Sequence, residues 1–412
     1  MGYRILYKPI ICLLLFLSVA GCAKELADDP VPAEEDGFVR ILFTSSAFTK
    51  VDTDLRVPTV GNEDGIQSLD LYGIAWGISY INGGMEIINI FHVPGKSPLD
   101  VSGIEDWGVV RGDTLLVKST LFGRNDRSDN VKFVNLYAIA NINQLTPVNE
   151  NKFTSFSAYN TQIKDAVQKY MRQRQLISHD VEAMLKNLIV QVSGLSASLE
   201  YPVMVQSMQV EGGASYMHMP LERVYCRIGF SFLFTGNSTD KIKINTITID
   251  RTSHQGYLFQ EKNEPDTPPT ESLVWSAEKE SGSGAFKNAG GIAYTNGEQP
   301  IGSTMLALYA NKDSDAPLYF RSCQYLCDNE ENAPSITLDI TVTSGDKVIT
   351  RKLTAPLYNS GGTNSKKHYG FLRNHSYQVI STINTSTLQL EGVTVEAHDW
   401  SELPLVDFPD FK

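Results

Sequence analysis

Apolar side chains at every second position are the feature that most narrows what this chain folds into. Near the C-terminal end, Val393, Val395 and Ala397 alternate with Thr394, Glu396 and His398, and Trp400 closes the run. Upstream, Tyr377 and Val379 alternate with polar neighbours after a charged turn, Arg373-Asn374-His375, and Gly392 separates the two runs. A period of two puts successive side chains on opposite faces, so each run reads as a half-buried strand at the end of an antiparallel sheet domain. The pattern recurs along the chain. Val39, Ile41 and Phe43 share one face of a strand over 38–45, and Cys226, Ile228, Phe230, Phe232 and Phe234 share one face of a strand over 221–234. In 336–343 the set Ile336, Leu338, Ile340 and Val342 opposes Thr337, Asp339, Thr341 and Thr343, and Ser344-Gly345-Asp346 turns the chain into 348–353.

Further strands are expected over 66–76, 109–122, 305–309 and 318–320. Another, over 131–141, is apolar enough to be central in its sheet. Over 241–250 the parity changes: Ile242 and Ile244 fall on one face and Ile247 and Ile249 on the other, which places a bulge near Asn245. Between 160 and 189 the period becomes helical. Ile163, Val167, Tyr170 and Met171 form one stripe and Val181, Met184, Leu185, Leu188 and Ile189 a second. Ser178, with Asp180 and Glu182 behind it, starts the second helix.

At 412 residues the chain calls for about two domains. Three prolines among alternating acids in 261–270 place the boundary there. The expected division is a domain over 37–262, with the helices near 160–190 inserted in it, and a second over 263–412 that includes a C-terminal tail. The Gly/Ser-rich stretch 280–291 reads as a surface loop, because no Gly-Lys-Ser/Thr and no helix follow it.

Ahead of these domains, Arg4 and Lys8 precede an apolar run over 10–19 that ends in Val19-Ala20-Gly21-Cys22. Small residues directly before a cysteine form a bacterial lipobox, so 1–21 reads as a lipoprotein signal peptide and Cys22 as the acylated first residue. Acyl chains bury methylenes at about 0.8 kcal/mol each, which makes attachment to the outer membrane firm. Residues 22–36, rich in acid and proline, read as a flexible tether. The formal net charge is -12, and losing Arg4 and Lys8 with the signal takes it to -14. That excludes nucleic acid as a partner and electrostatic docking on anionic lipid. No run after residue 22 is apolar and long enough to cross a bilayer.

Motifs for chemistry are missing: there is no HExxH, GxSxG, Walker loop or paired CxxC, and the histidines are scattered. The chain reads as no enzyme, with no metal and no cofactor beyond the covalent lipid on Cys22. Cys323 and Cys327 would lie roughly 13 Å apart in an extended strand, too far to bridge. A bend could join them, so unpaired and locally paired thiols both stand. Trp76, Trp107 and Trp275 read either as core residues or as a surface set for binding glycans, which gives the alternative of a glycan-binding surface lipoprotein.

The run Arg373-Asn374-His375-x-Tyr377, with Val393-x-Val395 and Trp400 behind it, resembles the C-terminal segment of the Bacteroidales fimbrillins, subunits of lipoprotein-derived surface fimbriae. The first strand, and the Leu221-x-Arg223 opening of a later one, are similar as well. The resemblance implies two tandem antiparallel β-sandwich domains, transthyretin-like, and a fimbrial subunit or fimbria-associated adhesin on the cell surface. It implies maturation by removal of the first strand after a basic residue, for which Lys50 and Arg56 are the candidates. A neighbour's C-terminal segment would then fill the groove, building a head-to-tail polymer. Here that donor would be 401–412, with Leu403, Leu405, Val406, Phe408 and Phe411 offering side chains, while Pro404 and Pro409 depart from a regular strand. The implied partners are other subunits and surface receptors of host or bacterial cells. Stalk, tip and anchor roles all remain open.

Overall fold

Alternation of apolar and polar residues commits most of the chain to strands whose apolar faces must be covered by other strands. The computed structural model describes residues 38–45, 66, 68–78, 83–93, 108–111, 114–122, 131–141, 146–147, 182–183, 185–186, 188–191, 195–196, 202–259, 269–278, 284–314, 317–327, 331–357 and 369–399. The strands begin with β1 (Phe38–Ser45), β2 (Leu69–Ile78), β3 (Met85–Val93), β4 (Gly108–Arg111), β5 (Thr114–Lys118), β6 (Val131–Ala140) and β7 (Thr146–Pro147). Next come β8 (Ile189–Gln191), β9 (Leu195–Ser196), β10 (Met204–Glu211), β11 (Tyr216–Arg223), β12 (Cys226–Thr235), β13 (Lys241–Thr252) and β14 (Gln255–Tyr257). Then follow β15 (Glu271–Ser276), β16 (Ala285–Lys287), β17 (Ala293–Thr295), β18 (Met305–Tyr309), β19 (Tyr319–Ser322) and β20 (Tyr325–Cys327). The last are β21 (Ser335–Ser344), β22 (Lys347–Pro356), β23 (Tyr369–Phe371), β24 (His375–Asn384) and β25 (Gln389–Asp399).

One sheet runs β3-β2-β6-β10-β11-β1-β5-β4. Its core face is a cluster drawn from 39–221, including Val39, Ile41, Phe43, Leu71, Leu115, Leu136 and Met219. The apolar β6 sits between β2 and β10, the central place its composition calls for. It stops at Ala140 because Asn141 turns into the left-handed region (φ 59°), where its side chain donates to Pro202 O at 3.0 Å.

A second sheet is built on β12, which lies antiparallel to β18 and β19 and parallel to β24, with β25 outside β24. A third runs β15-β13-β21-β22. These two sheets share one core drawn from 226–395, to which β12 gives Cys226, Ile228, Phe230, Phe232 and Phe234. The opposite face of β12 is buried too. There Arg227 Nε donates to Ser376 Oγ at 2.9 Å, with its guanidinium 4.8 Å over the Tyr319 ring, and Gln378 Nε2 donates to Ser231 Oγ at 2.8 Å. Gly229 keeps that packing close, because a Cβ there would lie 2.7 Å from Gln378 Oε1.

The bulge expected in β13 is present: pairing with β21 shifts between Ile244 and Thr246, and Ile242, Ile244, Ile247 and Ile249 are all fully buried. The alternating core set of β21 is buried likewise.

Three expectations change. The strand expected over 109–122 is a hairpin of β4 and β5 followed by a 3-10 turn, Ser119–Phe122. The strand expected over 221–234 breaks at Val224-Tyr225, so β11 ends in the first sheet and β12 starts the second. The loop expected over 280–291 contains β16, whose Phe286 is fully buried.

The boundary expected at 261–270 falls between β14 and β15, and strand pairing crosses it: β12 and β13 pair with β15, β18, β19, β21 and β24. The helices expected near 160–190 lie mostly outside the described residues. Within that stretch Glu182, Ala183, Leu185 and Lys186 have helical backbone, whereas Ile189 begins β8. Leu185 and Leu188 are fully buried, clustered with Tyr72, Tyr137 and Ile139, and Tyr137 OH donates to Glu182 Oε1 at 2.5 Å.

Candidate functional site

The first strand is the element on which the sequence reading places function. Val39, Ile41 and Phe43 are spaced two apart and lie fully within the core, at 0%, 0% and 1% exposure. Such burial contributes about 1.5–3 kcal/mol for each side chain. On its edges β1 is parallel to β11, with Arg40 to Ser45 opposite Tyr216 to Leu221, and antiparallel to β5, with Phe38 to Leu42 opposite Lys118 to Thr114. It is therefore an interior strand of its sheet.

Its partner β11 is weakly held on the other edge. β10 matches it at two positions only, Met204 with Arg223 and Val205 with Glu222, against six matched by β1. Pro220 has no amide hydrogen to donate, and its carbonyl takes Gln206 Nε2 at 2.8 Å. Strand β1 thus joins two parts of the sheet, β3-β2-β6-β10-β11 on one side and β5-β4 on the other. Taking it out would leave facing edges on β11 and β5 and three vacated positions in the core, which is what an incoming strand requires.

The charged turn before β24 has a structural task. Asn374 holds φ 60°, and its Oδ1 accepts from the Arg223 amide at 3.1 Å and from Arg223 Nη1 at 3.3 Å. The Asn374 amide donates to Tyr225 O at 3.0 Å. Arg373 Nη1 donates to Leu258 O and Nη2 to Glu222 Oε2, both at 3.2 Å. Tyr377 OH accepts the Leu372 amide at 2.7 Å, and His375 Nδ1 lies 2.8 Å from Arg373 O. The motif that carries the resemblance therefore grips the β11–β12 crossover, about 150 residues away in sequence. Of its partners, Arg223 was marked by the Leu221-x-Arg223 opening, whereas Glu222, Tyr225 and Leu258 had no signal of their own in the sequence.

The other candidate residues divide by position. Cys22, Lys50, Arg56 and Trp107 lie outside the described residues, as do Leu403, Leu405, Val406, Phe408 and Phe411. Trp275 is fully buried in the core and Trp76 is half-buried, its ring stacked 6.1 Å from that of Phe133. Neither stands out from the surface as a sugar platform would. Cys226, Cys323 and Cys327 form no disulfide. Burial pushes Cys226 up to about 12 and Cys323 upward as well, so neither is a nucleophile near neutral pH. Among the described residues no three His, Cys, Asp or Glu side chains gather as a metal site.

The strands and their pairing define a mainly β chain of several antiparallel and mixed sheets. No family model and no curated protein matches it. Its structural neighbours include proteins of the Bacteroidales named for cell adhesion and for fimbriae. A protein of Parabacteroides distasonis named for cell adhesion is 14% identical, with 87% of this chain and 96% of that chain covered and a TM-score of 0.47. The tip fimbrial protein Mfa3 of Porphyromonas gingivalis, truncated at its C-terminus, is 12% identical, with 88% and 100% covered and a TM-score of 0.40. A fimbrial assembly protein of Parabacteroides distasonis is 10% identical, with 88% and 95% covered and a TM-score of 0.40.

Proposed function

We propose that this protein is a subunit or adhesin of a surface fimbria, made of two tandem β-sandwich domains with a helical insertion in the first. Cys22 carries the lipid that brings the chain to the outer membrane and its surface. Cleavage after Lys50 or Arg56 frees β1 together with that lipid, and 401–412 of a neighbouring subunit fills the vacated place. Contacts of this kind do not close on themselves and so propagate as a filament. What supports the reading is the position of β1: a regular strand with three buried side chains that supplies most of the pairing of β11.

The test is limited trypsin digestion of a soluble chain of residues 23–412, followed by N-terminal sequencing and size analysis. Cleavage within 50–56 should yield higher-order species, and deleting 401–412 should abolish them. A chain resistant at both basic residues, or cleaved and strictly monomeric, would overturn the assembly mechanism. In cells, Cys22→Ala should abolish labelling by a fatty acid and release the protein from the membrane fraction, whereas equal labelling of the variant would refute the anchor.

A further inference from the structure

The Arg373–Asn374 turn joins two separate cores. The cluster on the first sheet draws its members from 39–221, and the core of the other two sheets draws its members from 226–395. The chain crosses between them at Val224 and Tyr225, β9 pairs with β19, and a third cluster packs Tyr72, Tyr137 and Val205 with Tyr225, Leu258, Phe259 and Cys323. Apolar packing of this kind holds two bodies together but is non-directional. The turn adds directed hydrogen bonds to it. It belongs to the second body by sequence, since β24 begins at His375, yet its bonds go to the end of β11, to the crossover and to Leu258.

The geometry is specific to these two residues. At φ 60° the Asn374 backbone lies in the left-handed region, which asparagine tolerates and most residues avoid. That conformation aims both the amide and the side-chain oxygen at the crossover, where they meet Tyr225 O and the Arg223 amide. Arg223 is fully buried, so these bonds form away from water, where each counts most. Arg373 extends the grip by bonding Glu222 on β11 and Leu258, the residue directly after β14.

The place where the chain leaves β25 follows from the same turn. Asp399 pairs with His375, the residue next to Asn374, while Ser45 at the end of β1 pairs with Leu221, two residues from Arg223. The exit of the C-terminal segment and the end of the first strand are thus both referenced to residues 221–225.

We propose that Arg373 and Asn374 form an interlock that, together with this packing, makes the two cores unfold as one body and fixes the C-terminal exit relative to β11. This holds whether or not the protein polymerises. Its test is hydrogen exchange against denaturant on the full chain, comparing peptides from β6 in the first core and β21 in the second. The unmodified chain should lose protection in both at a single midpoint. In Asn374→Gly, which keeps a residue at ease at φ 60° but removes the side-chain acceptor, the Arg223 amide should exchange at least about tenfold faster. The two midpoints should separate in Asn374→Gly, and further when Arg373→Met is added. Separate midpoints in the unmodified chain would overturn the interlock. Midpoints that fall together in both variants would overturn it as well, because that is the behaviour of a merely local contribution to stability.

Discussion

Phe230 shows what a single residue contributes to this fold. It lies on the core side of β12 at 1% exposure, edge-on to Phe320 with ring centroids 5.1 Å apart and stacked on Phe232 at 6.3 Å. Truncation removes the ring from a site enclosed by two sheets, and the surrounding strands cannot collapse to fill it. Phe230→Ala should therefore cost about 3–5 kcal/mol. Chemical denaturation checks this, and an unchanged midpoint would mean that the ring is not in the core. The core side of this strand was legible from alternation alone. The burial of its other side was not, because Arg227, Gly229 and Ser231 look like solvent-facing residues until Tyr319, Ser376 and Gln378 are brought against them.

Among the elements, β13 carries the sharpest sequence signature. Its four isoleucines reach one core only because Asn245 is an unpaired extra residue between Ile244 and Thr246. The bulge is held by Asn245 Nδ2, which donates to Asp339 Oδ1 at 3.1 Å and to Thr341 Oγ1 at 2.9 Å. Deleting Asn245 leaves the order Ile242, Lys243, Ile244, Thr246, Ile247, which alternates regularly and keeps every isoleucine facing inward. Deleting Thr248 instead makes Ile247 and Ile249 adjacent and turns one of them outward. Thermal unfolding should show the first deletion folded at a lowered midpoint and the second far less stable or unfolded. Equal losses would contradict the parity argument.

At the scale of the whole molecule, the pairing of β12 and β13 decides where the chain divides. Every member of the core shared by the second and third sheets lies within 226–395, and β12 is the central strand of one sheet while β13 is paired on both edges in the other. A fragment of residues 224–399 should therefore fold cooperatively by itself. A fragment starting at 263, at the boundary read from prolines and acids, lacks both strands and should not. Circular dichroism with thermal melting of the two fragments decides between them, and a cooperative melt of the 263 fragment would refute this division.

Periodicity lies in the order of residues itself, so the strands over 38–45, 241–250 and 336–343, the face each one buries and the bulge at Asn245 could be read before any fold was known. The Arg373-Asn374-His375-x-Tyr377 run was legible in the same way, as a local pattern. Pairing depends on which strand ends meet in space, and alternation says nothing about that. An unbroken run over 221–234 hides a crossover, because β11 and β12 follow each other with only Val224-Tyr225 between them. The prolines of 261–270 signal a turn to be made but do not choose which sheet the chain rejoins. Only the tertiary structure places β1 inside its sheet, returns β12 and β13 to the later strands, and sets Asn374 against Arg223 across 151 residues of sequence. Those are contacts between distant segments, fixed by the burial of apolar faces that no single segment can cover alone.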